Sequence, residues 1–273
     1  MGTGSRTRRG QNGRVHSDGQ ARPRILVLIA IGALTGLASG LFGVGGGIVI
    51  VPALVALGVD QRKAAATSLV ALVPISIAGT VTYAVTGDVN WIAALLLAVG
   101  SVAGAPLGVR LLHRLPTRVL PWIFVGFVAV VIVSLLASPP TRDGELVIGW
   151  ASGAALVGIG LVAGVLSGLV GVGGGVVAVP GLEVVVGAGD LLARGTSLAM
   201  MIPTTLAGIL THRRRLDVDV RAGLVLGAAA VAVTPFGSWL ARLLDPVVGA
   251  VLFAAFLVGV CVVVVLRTRR RGA

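Results

Sequence analysis

The chain has 273 residues, of which 56% are hydrophobic and only 12% charged, and its mean hydropathy is +1.03. A soluble domain carries about 25% charged residues, so water cannot solvate this surface and lipid must. The net charge of +12 does not argue for nucleic acid, because no interleaved aromatics and no nucleic-acid fold motif accompany it.

In chain order, residues 1–24 are polar, Gly- and Arg-rich, and read as a disordered basic cytoplasmic tail. The apolar run 25–43 follows arginines and ends in small residues near Ala38-Ser39-Gly40, as a cleaved signal would. A second copy of its end lies mid-chain, so the segment reads as structural and retained. Segments 46–57, 64–86, 91–109 and 119–138 complete a first membrane repeat, 25–138. A polar extracytoplasmic linker, 139–147, leads to the second, 148–266, made of 148–170, 174–188, 195–211, 222–241 and 246–266. Residues 267–273 form a basic cytoplasmic tail. Most segments suit a span of about 20 residues. Segments 46–57 and 174–188 are shorter and read as half-helices or broken spans. Trp91, Trp122, Trp150 and Trp239 fall near segment ends, where an interfacial belt would put them. Cys261, the single cysteine, lies in an apolar run and excludes an intrachain disulfide.

The halves repeat one another. Gly40-Leu41-Phe42-Gly43-Val44-Gly45-Gly46-Gly47 and Pro52 return as Gly168-Leu169-Val170-Gly171-Val172-Gly173-Gly174-Gly175 and Pro180, at an offset of 128. Downstream the offset is 129. Thr67-Ser68 matches Thr196-Ser197, Pro74 matches Pro203, and Asp88 matches Asp217. Duplication around Gly- and Pro-broken apolar segments is the pattern of a two-repeat transporter.

Charge sets the orientation. With both termini in the cytoplasm and every segment crossing, nineteen basic residues fall inside and only Arg142, Arg194 and Arg242 outside. Matched loops carry opposite signatures: the turn at Asp88 lacks basic residues, whereas its counterpart at Asp217 follows Arg213, Arg214 and Arg215. Five crossings per repeat explain this. The expected fold is therefore an all-α polytopic membrane protein of two inverted-topology repeats. Each has about five hydrophobic segments, including one short Gly/Pro-broken helix. A re-entrant reading of 46–57 and 174–188 also inverts the halves, but it puts Arg62 and Lys63 outside.

The candidate binding region is Gly45, Gly46 and Gly47 with Gly173, Gly174 and Gly175. Consecutive glycines end a helix and permit positive φ. In lipid the freed backbone must be buried in protein or line a wet cavity. A new helix starting at Ile48 or Val176 offers its amides and dipole to an anion without any charged side chain. Close packing by small residues is the competing reading. Thr67, Ser68, Thr196 and Ser197 can bond a substrate oxyanion or, equally, a helix carbonyl of their own. Pro52, Pro74, Pro180 and Pro203 are candidate kinks or hinges. Glu183 is the one acid well inside an apolar segment, a candidate for proton coupling unless its segment reaches the outer surface. His113 and His212 read as helix-end residues. No residue cluster has metal-ligand spacing and no nucleophile–base set is visible, so no metal, cofactor or enzymatic activity is expected.

The duplicated G-x-x-G-x-G-G-G-x-x-x-x-P pattern, the Thr-Ser that follows, and Gly87-Asp88-Val89-Asn90-Trp91 together resemble the TauE/SafE sulfite exporter family over roughly residues 25–266. The resemblance implies an inner-membrane permease that moves sulfite, sulfoacetate or related organosulfur anions, usually outward. The second copy departs from it with Leu216-Asp217-Val218-Asp219-Val220. The expected function is a secondary transporter in the cell membrane exporting a small anionic solute. Anionic lipid headgroups would lie at its basic tails, and a homo-oligomer is compatible with the sequence. The membrane potential favours anion exit by about 2.3 kcal/mol per charge per 100 mV. A non-transporting scaffold that binds partner helices through glycine faces is the alternative. A cation or metal permease fits less well, given the scarcity of buried carboxylates, histidines and methionines.

Overall fold

In the computed structural model the described residues are 25–116, 119–137, 141, 142, 144, 146, 148–212 and 218–272. The tail 1–24, the arginines at 213–215 and the Leu216-Asp217 step lie outside them. The described residues form ten helices: α1 (Ile25–Phe42), α2 (Gly47–Ala56), α3 (Gln61–Ala84), α4 (Trp91–Arg114), α5 (Leu120–Ala137), α6 (Trp150–Val170), α7 (Gly175–Val186), α8 (Asp190–His212), α9 (Val220–Leu243) and α10 (Pro246–Gly272). Each coincides with one apolar segment of the sequence. The last extends through the C-terminal arginines, and α8 begins at Asp190, five residues before the apolar run. Six of the ten, α1, α3, α4, α6, α9 and α10, are long and apolar enough to cross a membrane.

Local chemistry sets the boundaries. Asp60 caps α3 by accepting from the Arg62 amide (2.9 Å), Asn90 caps α4 through the Ala93 amide (3.0 Å), and Asp219 caps α9 through the Ala222 amide (2.9 Å). Each satisfies an amide that a helix start leaves over. Gly171 and Gly187, both left-handed, end α6 and α7.

Glycine stripes hold the bundle together. On α1, a methyl group at Gly32, Gly36 or Gly40 would strike the α9 backbone at Leu226, Ala230 or Thr234. On α6, a methyl group at Gly160, Gly164 or Gly168 would strike α4 at Leu97, Ser101 or Ala105. Small residues let the backbones touch, the usual device where lipid supplies no hydrophobic drive between helices.

These contacts also fix helix direction. Partner numbers rise together, so α1 runs parallel to α9 and α4 parallel to α6. Gly223 faces Val70 and Gly227 faces Pro74, so α3 runs parallel to α9. The Asn90 amide reaches Thr196 and Ser101 reaches Thr204, so α4 runs parallel to α8. Gly79 faces Leu198 while Gly208 faces Leu69, so α3 and α8 are antiparallel. Thus α1, α3 and α9 point one way, and α4, α6 and α8 the other. Because α1 and α3 share a direction, α2 must carry the chain back between them; α7 does the same between α6 and α8. Each is short, about 15–18 Å of helix, and the glycine loop before it supplies the remaining length. The α5–α10 pair packs at the periphery against α7 and α2, with Phe42 of α1 stacked on Phe253 (4.8 Å) and Phe256 (5.8 Å) of α10.

Candidate functional site

Two glycine loops meet at half height in the bundle. Gly43, Gly45 and Gly46 have φ of 69°, 72° and 79°; Gly171, Gly173 and Gly174 have 77°, 91° and 82°. Only glycine adopts such runs freely. Gly46 and Gly174 are the N-caps of α2 and α7, each accepting two amides from the first turn (Val49 and Ile50, Val177 and Ala178). The loops touch. A methyl group on Gly47 would lie 2.6 Å from the Gly171 carbonyl oxygen, and one on Gly175 would lie 2.9 Å from the Gly43 carbonyl oxygen. Gly45 and Gly173 both face Leu72 and Met201, which sit at the midpoints of α3 and α8. The starts of α2 and α7 therefore converge from opposite sides on one buried, apolar-plugged centre.

The Thr-Ser pairs brace this centre. Ser68 of α3 donates to the Gly171 carbonyl, and Ser197 of α8 to the Gly43 carbonyl, both at 2.6 Å. Each serine also faces a carbonyl in its own helix, Ala65 (2.8 Å) or Arg194 (2.8 Å). Each half thus grips the loop of the other. Thr67 accepts from the Asp219 amide (3.3 Å) and Thr196 from the Asn90 amide (3.0 Å), which pins the starts of α9 and α4. The four hydroxyls that the sequence singles out are engaged with the protein here. Pro52, Pro74, Pro180 and Pro203 lie inside α2, α3, α7 and α8.

Among the described residues, four other hydroxyls are buried without a hydrogen-bond partner: Thr35, Ser39, Thr80 and Ser167. Ser39 and Ser167 are repeat counterparts, one turn before each loop, and Thr35 lies against Gly46. An unmet buried hydroxyl costs about 1–3 kcal/mol, so these mark where a ligand or water would be welcome. Sequence patterning does not distinguish them from ordinary small helix residues.

A second, unsymmetrical cluster lies at the end where α8 begins. Asp190 is fully buried and pairs with Arg194 at 3.1 Å and with Arg142 at 3.6 Å. Arg194 donates to the Leu41 carbonyl (2.7 Å) and covers Gly43. The Tyr83 hydroxyl donates to the Gly40 carbonyl (2.7 Å). Arg142 also bonds the Leu244 carbonyl, and Arg242 pairs with Asp88 (3.0 Å), bonds Thr86 and lies 5.7 Å from the Tyr83 ring centre. The three arginines that stand outside in the sequence-based orientation therefore gather at one end. Their departure from the charge bias was the signal for this cluster, and no motif marks it.

Glu183, on α7, is half-buried in a cleft with Arg194, Phe42, Val179, Gly249, Ala250 and Phe253. The four tryptophans are exposed, and Trp239 stacks on Phe236 at 5.6 Å.

Comparison with known proteins agrees with this architecture. The model of the family "Sulfite exporter TauE/SafE" matches residues 3–135 and 156–273. A "Probable membrane transporter protein YunE" of Bacillus subtilis is 38% identical over 91 residues, 33% of each chain. A "Probable membrane transporter protein" of Xylella fastidiosa is 41% identical over 87 residues, 32% of this chain and 33% of the relative. A "Probable membrane transporter protein MamO" of Magnetospirillum gryphiswaldense is 33% identical over 117 residues, 40% of this chain and 18% of the relative. The matched stretches span a third or less of the length of these curated relatives. The family match covers nearly the whole chain, and on it the protein belongs to the TauE/SafE sulfite exporter family, a family of membrane transporters and not of enzymes.

Proposed function

We propose that this protein is a secondary transporter that exports a small oxyanion, sulfite or an organosulfonate, by alternating access between two inverted halves. The observation that carries the reading is the convergence of the α2 and α7 N-termini on one buried centre. Each N-terminus presents leftover amides and about half a positive charge. Two of them, facing each other, suit an anion far better than a cation. The unpartnered hydroxyls of Thr35, Ser39 and Ser167 beside the loops add neutral donors. The opposed directions of α1 and α6, of α3 and α8, and of α4 and α9 support inversion of the halves about an axis in the membrane plane.

In the present conformation Leu72 and Met201 fill the centre, so transport requires the two halves to rock and withdraw one plug at a time. Gly45, Gly46 and Gly47 with Gly173, Gly174 and Gly175 would hold the anion through backbone amides. Ser68 and Ser197 would hold the loops in register, and the four prolines would flex. The cytoplasmic placement of both termini rests on the charge bias. The scaffold alternative is disfavoured because the glycine stripes of α1 and α6 are consumed inside the chain, against α9 and α4.

The test is flux of labelled sulfite in proteoliposomes with the potential clamped, comparing wild type with Thr35→Val, Ser39→Ala and Ser167→Ala. These changes remove unsatisfied hydroxyls, so folding should be unharmed. The reading expects saturable, potential-dependent flux whose KM rises about tenfold in the triple variant, the loss of about 1.4 kcal/mol of binding. Folded wild-type protein that moves no anion at all would refute it.

A further inference from the structure

The cleft between α7 and α10 belongs to neither the midplane centre nor the repeat symmetry. Its polar lining is Glu183 and Arg194; the rest is Phe42, Val179, Gly249, Ala250 and Phe253. In the first half the counterparts of Glu183 and Arg194 are Val55 and Ala65, so this chemistry was added to one end only. The Arg194 side chain is 5% exposed. A guanidinium has five N–H donors. The Leu41 carbonyl and Asp190 each engage one nitrogen of Arg194, so donors remain. Its Nη2 also points across the cleft at Gly249, where a methyl group would lie 3.1 Å away.

The charges around Glu183 can be named from every neighbouring helix. Arg194 lines the same cleft from α8, with Asp190 paired to it one turn earlier. α1, α5 and α6 carry no titratable side chain in Ile25–Phe42, Leu120–Ala137 or Trp150–Val170. α10 offers only Gly249, Ala250 and Phe253 here. Asp245 caps α10 at its exposed start through the Val247 amide (2.9 Å). Glu183 and an incoming anion therefore compete for one guanidinium.

We infer that this cleft is an outer oxyanion site in which Arg194 receives the anionic head group and Glu183 must carry a proton for the anion to stay. Anion and proton then occupy the cleft together, one to one. The inference rests on the anion-carrier reading and adds a protonated carboxyl to its outer mouth. The closed cleft has room for about one water. Entry of a sulfonate head requires α10 to swing from α7, and α10 is the least buried of the six long apolar helices.

The experiment is calorimetric binding of methanesulfonate, singly charged at all pH values used, to purified full-length protein between pH 6 and pH 9. Wild type should bind more weakly as pH rises, approaching about tenfold per unit once Glu183 ionises, as linkage to one proton requires. Glu183→Gln should bind tightly throughout and lose that slope. Gly249→Val should fill the cleft and weaken binding at least tenfold. An unchanged slope in Glu183→Gln, or unchanged affinity in Gly249→Val, would overturn the inference. Sulfite flux with Thr35-dependent KM but no effect of Glu183→Gln or Gly249→Val would sink this site and leave the carrier reading standing. Folded wild type with neither binding nor flux would sink both.

Discussion

The two ends of the molecule begin from the same template and finish differently. At one end the Gly171 loop rests on Ala65; at the other the Gly43 loop rests on Arg194. Ala65 and Arg194 are repeat counterparts, as are Val55 and Glu183. The loops, their φ angles and the serine grips are conserved between the halves because they perform one mechanical task twice. The charged residues differ, so the two ends present different chemistry. Symmetry therefore marks the packing that the halves share, and its breakdown marks where their chemistry diverges.

The sharpest way to break this comparison is at its point of difference. Arg194→Ala leaves Asp190 buried with only the distant Arg142 for a partner. Removing one member of a buried pair costs about 3–5 kcal/mol. Equilibrium unfolding in mixed micelles should show that loss, whereas Arg194→Met with Asp190→Leu should recover most of it. A small effect of the single change would mean that the pair is hydrated and the two ends less different than their packing says.

The next effect tests the likeness of the halves. Gly36 and Gly164 are counterparts, each against the backbone of a neighbouring helix, at Ala230 and Ser101. Gly36→Val and Gly164→Val should each cost about 1–3 kcal/mol or more through overpacking, and by similar amounts. A difference larger than about 1 kcal/mol would show that one helix pair yields more easily, and it would name the half that moves. Ser68→Ala and Ser197→Ala should cost about 1–2 kcal/mol each, since each strands a buried loop carbonyl. The same unfolding measurement checks both. Unequal losses would show that the loops are not gripped alike.

Much of this was legible in the residues. Apolar length placed ten helices, and the Gly-Gly-Gly runs placed the two breaks, because consecutive glycines end a helix. The relative directions of the helices come instead from tertiary contacts such as those of Gly32, Gly160 and Gly79. What the sequence hid was partnership. Thr67, Ser68, Thr196 and Ser197 have the chemistry of ligands, and their actual bonds run to Asp219, Gly171, Asn90 and Gly43, more than 100 residues away. Such a distant partner, donor or acceptor, is set by tertiary contact; local spacing reveals only the bonds of Ser68 and Ser197 to Ala65 and Arg194 in their own helices. The gathering of Arg142, Arg194 and Arg242 was marked only by their shared departure from the charge bias, since each is a lone charge on its own segment.

The smallest effect is also the most specific to the charged end. Arg242 and Asp88 pair at 3.0 Å with about a quarter of each side chain exposed. Such a pair stabilises by about 0–1 kcal/mol and is screened by salt. Arg242→Gln should therefore leave unfolding nearly unchanged. Yet the pair ties the end of α9 to the turn after α3, directly over Tyr83 and beside the Arg142 bond to Leu244. If that end must part for the anion to leave, a tie of this size is still felt as a rate. The expected outcome is efflux raised about two- to fivefold at low salt, converging with wild type as salt screens the pair. Efflux identical at every ionic strength would show that this end is held by packing alone, and would move the gate inward to Leu72 and Met201.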